Sequence, residues 1–345
     1  MRATLGLAAI AIGAALIPLP PAAVERWYSR GFYPPLQHGL TRASSVVPIA
    51  LLDVAVVAVV FACLALLARR WRRDGASKAL RAAGIALVGG ASALYLAFLV
   101  LWGFNYQRLP LEAKLMYDAS RVNRDSTFRL AETAVDRVNV LEKNRTAGAP
   151  VDRQALEVAF ARAQQQLSTA APAVAAPAKT SMFSWYLRTA GIDGMMNPFF
   201  LEIILNPDIL PAERPFSLAH EWAHLAGYAN ESEANFVSWL TCIAAAPDAQ
   251  YSGWLEAYRY ASAALPAADR RALQQRLSPE VISDLRAINE RLGRADPHVS
   301  GFARNVYDSY LRAQGMSEGI ASYGAMLRLM AGTTFENGWV PQLRR

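Results

Sequence analysis

Two of the four histidines in this chain of 345 residues, His220 and His224, stand four positions apart around Glu221 in the stretch FSLAHEWAHLAGYANESEANF (Phe216–Phe236). On an α-helix, residues i and i+4 lie one above the other, about 6 Å apart, a separation from which two imidazoles reach one zinc ion at about 2 Å each. Glu221 falls about 100° further round such a helix. From there it can take a proton from a water at the metal without displacing it, which is the chemistry of hydrolysis by an activated water. Pro215 suits the first helical turn and Gly227 the end, so PFSLAHEWAHLAG reads as one helix of about three turns. Trp222, Ala223, Leu225 and Ala226 carry no charge, as a helix inside a catalytic domain requires.

A zinc site of this kind needs a third protein ligand and keeps a fourth position open. The run NESEANFVSWLTCIAA begins a second helix, with Asn230 as N-cap and Glu233 three residues later completing a capping box. That leaves Glu231 free to face the metal, although the spacing also admits Glu233 in its place. Asn235, one turn on, is placed to support His220 from behind. Tyr307, Tyr310, Tyr323 and His298, from the C-terminal helices, are the candidate donors to an oxyanion.

Around this centre the pattern is mainly helical. Thr127–Arg145 and Asp152–Leu167 carry apolar residues at helical spacing and read as an antiparallel pair, followed by a mobile proline and alanine linker over Ser168–Lys179. PFFLEIILNP (Pro198–Pro207) is the one convincing strand, rich in aromatic and branched residues and closed by a proline at each end. Helical patterning then resumes through to Gly332, and there is no internal repeat.

Three runs are apolar enough to cross a bilayer, about residues 3–24, 46–68 and 82–104. The first also has the outline of a signal peptide, with a poor cleavage pattern. Between the second and third runs stand Arg69, Arg70, Arg72, Arg73, Lys78 and Arg81 against Asp74 alone, which by the positive-inside rule puts this loop in the cytoplasm. Residues 1–106 are therefore expected to form three transmembrane helices and 107–345 an extracytoplasmic domain, in a multi-pass protein of the inner or plasma membrane. The loop accounts for most of the net charge of +7, so the basicity points to the lipid bilayer as partner and not to nucleic acid. The chain's two cysteines, Cys63 in a span and Cys242 in the outer domain, cannot pair, so the outer domain must be held by its core.

HEWAH followed by ESEAN resembles the Glu-zincin metallopeptidases, whose third ligand is the first Glu of an E-x-x-A-D or E-x-x-A-N helix. The three N-terminal spans, WGFNYQR at Trp102, the HEWAH segment and YLRAQGMSEGIASYG at Tyr310 together resemble an uncharacterised family of bacterial membrane proteins known only as a domain of unknown function. The resemblance implies zinc ligands at His220, His224 and Glu231, a base at Glu221, and a zincin-like α+β domain. In such a domain the strand before the HExxH helix borders the cleft as a short edge strand, so Phe199–Asn206 would pair with an extended peptide. Asn235 departs from the commoner Asp of the wider peptidases. The expectation is a membrane-anchored zinc metallopeptidase acting on a peptide or protein in the cell envelope, the alternative a non-catalytic envelope scaffold retaining a structural zinc. Intramembrane cleavage is disfavoured by the sequence distance from the last span and the polar surroundings of His220. The topology predicts that a reporter fused after Arg345 is active only outside the cytoplasm and one fused at Gly75 only inside it; a C-terminal reporter active in the cytoplasm would overturn this orientation.

Overall fold

The computed structural model describes residues 2–146, 148, 150–314 and 326–344. It is mainly helical, with little sheet. α1 (Arg2–Leu16) is followed by α2 (Pro21–Ser45), bent away from it by 105°, so the first apolar run is a broken pair and not one straight span. Pro18 and Pro20 account for the break, since neither can donate the hydrogen bond that would continue the helix. α3 (Leu51–Asp74) and α4 (Ala76–Leu101) form a hairpin about Gly75, and both are long and apolar enough to cross a membrane; counting the bent pair as one span gives three. The apolar window of α3 has none of its residues buried, so lipid is the only medium that matches it. α1 runs parallel to α4, with Thr4 beside Gly89 at one level and the Leu19 N–H bonded to Gln107 at another (2.7 Å).

The remaining elements build a single core on the far end of this hairpin. α5 (Arg124–Glu142) and α6 (Arg153–Leu167) appear where the periodicity predicts, but they do not form a pair. α5 packs on α10 (Pro247–Ala264) and α6 on α9 (Glu231–Ile243), because each turns its apolar stripe to the central helices. At the centre α8 (Arg214–Leu225), α9 and α10 bury Trp222, Trp239 and Tyr251 completely. α11 (Ala267–Gln274), α12 (Pro279–Leu292), α13 (Pro297–Ala313) and α14 (Met326–Gly332) complete the helical part, and the hairpin of β4 (Phe335–Glu336) and β5 (Val340–Pro341) stacks Trp339 on Trp239 and Trp254.

The Pro198–Pro207 run is not a single edge strand. Its first residues are the turn of a hairpin in which β2 (Gly194–Asn197) pairs antiparallel with β3 (Glu202–Leu205), and β1 (Ala178–Lys179) lies parallel to β3 on the other side. β3 is thus the fully buried middle strand, which is why it reads as a continuous apolar run. β2 is the edge, connected through α7 (Ser184–Ala190) to β1.

The expected linker is ordered as well. Its backbone is held by Gln37, which bonds both the N–H and the C=O of Val174, by Gln164 on Ala173, and by the Trp222 indole on the Ala176 carbonyl. A segment whose polar groups are taken by buried side chains has no freedom left to be a spacer.

Residues on either side of position 106 share one hydrophobic cluster. Tyr33 of α2, Phe98 and Leu99 of α4, and Trp102 belong to the same hydrophobic cluster as α8 and α9. Glu202 of β3 reaches out to the membrane-length hairpin, accepting hydrogen bonds from the Leu51 and Leu52 N–H groups that open α3 (3.0 and 2.9 Å) and an ion pair from Lys179 (2.8 Å). A carboxylate at a helix N-terminus is favoured by the macrodipole, and this one is buried with its counter-ion. Glu202→Ala would leave Lys179 buried and unpaired, at a cost of about 3–5 kcal/mol. The expected result is a Tm lowered by on the order of 10 °C in thermal unfolding of the detergent-solubilised chain; an unchanged Tm would mean that this contact does not join the two parts.

Candidate metal centre

α8 begins with Pro215 in its first turn and stops where Gly227 takes φ +82. The stop is a Schellman motif: the Gly227 N–H bonds the His224 carbonyl (2.9 Å) and the Tyr228 N–H bonds that of Ala223 (3.1 Å). A Cβ on Gly227 would lie 2.7 Å from Asn105 Oδ1, so glycine is required by both conformation and space. The turn brings the start of α9 back over α8, and Asn230 caps it by accepting from the Ser232 N–H (2.9 Å).

This places Glu231, the first residue of α9, against the two histidines. Its Oε2 is 3.2 Å from His220 Nε2 and 3.6 Å from His224 Nε2, and the two Nε2 atoms are 3.1 Å apart. Four tetrahedral ligands about 2.0–2.1 Å from a zinc ion stand about 3.3 Å from one another. The observed triangle has that size, and among the described residues these three form a group fit to hold a metal ion.

The electrostatics favour a cation at its centre. His224 Nδ1 lies 2.8 Å from the Tyr228 carbonyl, which only accepts, so Nδ1 carries the proton and Nε2 of the neutral ring directs a lone pair inward. Burial opposes a charge on His224, yet the Glu231 carboxylate, helped by Glu221 and the Tyr228 carbonyl, outweighs it and lifts the pKa to about 9. Burial likewise penalises the Glu231 carboxylate, and the two histidines overcome it and hold its pKa well below the usual range. A proton or a metal ion satisfies the same arrangement of converging lone pairs. His220 Nδ1 has no hydrogen-bond partner among the described residues, and Asn235, expected behind it, bonds the Tyr260 hydroxyl instead (3.4 Å).

Glu221 is buried on the same helix with Oε2 unpartnered among the described residues. Burial raises its pKa, the nearby histidines only partly countering, which makes it a stronger base near neutrality. β2 crosses directly above it: a Cβ on Gly194 would stand 2.9 Å from Glu221 Oε1.

Glu233 is elsewhere. It completes no capping box, because its Oε1 accepts from the Leu111 N–H across the core (2.6 Å). Tyr307 reaches the centre and donates its hydroxyl to Glu231 Oε1, and Tyr310 stands beside it with its ring 6.0 Å away. His298 is exposed at the start of α13 and lines no part of the site, while Tyr323 lies outside the described residues.

His220, Glu221, His224, Glu231, Tyr307 and Tyr310 line a cavity of about 780 Å³, together with the β2 edge (Gly194, Met195, Met196) and Trp102 and Phe98 from the end of α4. A family model described as "Protein of unknown function (DUF3810)" matches residues 28–331. The chain belongs to the DUF3810 family. No curated protein and no solved structure matches it.

The sequence reading missed Asp193, Glu256, Arg259 and Tyr260 in the cavity wall of this DUF3810 member. Glu256 and Arg259 are paired with each other (2.5 Å), and Asp193 pairs with Arg291 (2.9 Å), which also clasps Glu213 just ahead of α8. Asp193 and Glu213 lie far from Arg291 in the chain, and Glu256 and Arg259, three apart on α10, read as an ordinary helix-surface pair, so no local motif marks them. For the ligands, Glu231→Gln is expected to lose bound zinc in elemental analysis of the purified protein. Glu233→Gln should retain it and cost about 1 kcal/mol in stability, the net worth of one hydrogen bond. The reverse pattern would make Glu233 the ligand.

Proposed function

We propose that this DUF3810 chain is a membrane-anchored zinc metallopeptidase of the Glu-zincin kind, multi-pass, with its peptidase domain on the extracytoplasmic face and its substrate a peptide or protein of the cell envelope. The observation that carries this is the triangle of His220, His224 and Glu231 ligand atoms with an unpaired, buried Glu221 beside it. A structural zinc site has no use for a base.

A bound zinc ion supplies Lewis-acid polarisation of a carbonyl and lowers the pKa of water toward neutrality. The chain's own groups divide the rest. Glu221, with its pKa raised by burial, takes the proton of the attacking water and returns it to the leaving amine. Tyr307 holds Glu231 in place through its hydroxyl, and Tyr310, on the same helix, is a phenol available to a developing oxyanion in the cavity. The free edge of β2 lies over Glu221 and accepts an extended peptide by strand addition, a role the sequence reading gave to Phe199–Asn206.

Glu221→Gln tests the reading. It should keep its zinc, because Glu221 is no ligand, and lose at least the 10²–10⁴ in rate that general-base catalysis contributes. Membranes from cells carrying each form should differ by an envelope protein whose fragments appear with wild type and vanish with Glu221→Gln. An unchanged fragment pattern, with histidine substitutions harmful only through unfolding, would establish the scaffold in its place.

A further inference from the structure

Three walls of the cavity come from elements pinned to the ends of the membrane-length helices. Phe98 and Trp102 belong to the last turn of α4 and the residue after it. α7 is fastened to the first turn of α3, where Asp53 accepts from Ser181 Oγ (2.5 Å) and the Met182 N–H (2.7 Å), and Leu187 packs on Ala50. α13 starts at α7, its capping Asp296 donating its N–H to the Thr189 carbonyl (2.9 Å), and ends at α4, with the Tyr310 ring 6.3 Å from Phe98. These walls of the cavity are therefore held at the level where α3 begins and α4 ends.

At that same level the surface is apolar. Val46 and Ile49 just ahead of α3, Met182 and Trp185 at α7, and Phe302 and Val306 on α13 all face outward, Trp185 with 59% and Phe302 with 68% of its surface exposed. Phe302 and Val306, at i and i+4, share one stripe of α13, about 100° round from Ala303 and Tyr307, which line the cavity. Single exposed apolar side chains are ordinary. Six on three separate elements, continuous with a helix whose apolar window is wholly uncovered, mark a surface that rests in lipid, with Trp185 at the depth where indoles collect.

We propose that α7 and α13 sit in the leaflet from which the spans emerge, so that the cavity opens along the lipid surface and its substrate class is the juxtamembrane segment of a membrane-anchored polypeptide. This rests on the peptidase reading above. A chain leaving the bilayer enters the mouth between α7 and α13 and meets the β2 edge within a few residues of its anchor, whereas a soluble protein has to work between the domain and the membrane.

Two measurements on the full-length protein in lipid nanodiscs test this. Spin labels at Phe302→Cys and Val306→Cys, in a Cys63→Ser background, should be more accessible to oxygen than to a water-soluble nickel chelate; the opposite order overturns the interfacial placement. A peptide library tethered to the lipid by an acyl chain should be cut at least about tenfold faster than the same library free in solution, the gain of confining enzyme and substrate to one surface. Phe302→Asp with Val306→Asp should remove that preference while leaving cleavage of the free library intact. Equal cutting of both libraries by wild type overturns the substrate class and leaves the peptidase reading standing. A zinc-loaded wild type that cuts neither overturns both.

Discussion

The C-terminal carbonyls of α8 are buried, and an unsatisfied buried carbonyl costs about 1–3 kcal/mol, so the helix carrying the two histidines can end only where donors meet it. The donors come from the N-terminal part of the chain. Trp102 gives its indole N–H to His224 (2.8 Å), Tyr33 its hydroxyl to Leu225 (2.7 Å) and Arg108 a guanidinium N–H to Gly227 (3.0 Å). Asn105 fills the space that a side chain on Gly227 would need. The WGFNYQR segment is therefore the socket into which the helix bearing the two histidines plugs, and Arg108 is itself fixed by Glu25 of α2 (3.0 Å), which also pairs with Lys114 (3.1 Å). The geometry of His224 and the end of the membrane-length hairpin are set by the same contacts.

A contrast in how buried charge is handled separates scaffold from site. Glu25, Glu202 and Glu213 each lie against a cation within about hydrogen-bond reach, with Arg108, Lys179 and Arg291 respectively, and their remaining oxygens accept from further donors. Such pairs offset their own desolvation and fix geometry without offering reactivity. Among the described residues Glu221 Oε2 has no partner, and Glu231 is met by His220 and His224 instead of by an arginine or lysine. Glu25, Glu202 and Glu213 are held by cations, whereas His220, Glu221, His224 and Glu231 are gathered along one cavity, the kind of perturbed cluster that marks a candidate site.

What the sequence made legible was what local chemistry dictates. Pro215 and Gly227 bracketed α8, helical spacing put His220 over His224, and Asn230 capped α9, because each depends on neighbours within one or two turns. Glu231 was reachable for the same reason. The errors fell where a distant partner decided the outcome. Glu233 looked like half of a capping box until Leu111, over a hundred residues away, supplied its N–H. Pro198–Pro207 looked like one strand because the turn at Leu201, with φ 45, carries large apolar residues instead of the usual glycine and asparagine. The alanine and proline run looked mobile because its order comes from Gln37 and Gln164, which no pattern in the run itself announces.

Sequence separation from the last membrane-length helix does not measure distance in space from its end. A helix ending at the bilayer surface exposes its last carbonyls and aromatic residues at the one depth where a folded domain can use them. Trp102 illustrates this: it stands in the first residue after α4, touches the His224 ring edge-on (centroids 6.3 Å apart) and bonds the His224 backbone at once. One side chain at the end of a membrane-length helix thus contacts a candidate metal ligand directly, although the two stand 122 positions apart in the chain. Division of the chain at residue 106 would remove Tyr33 and Trp102 from the shared core, and with them the side-chain donors to the Leu225 and His224 carbonyls at the end of α8. The membrane-length helices thus contribute to the wall of the site itself, Phe98 and Trp102 lining the same cavity as Glu221.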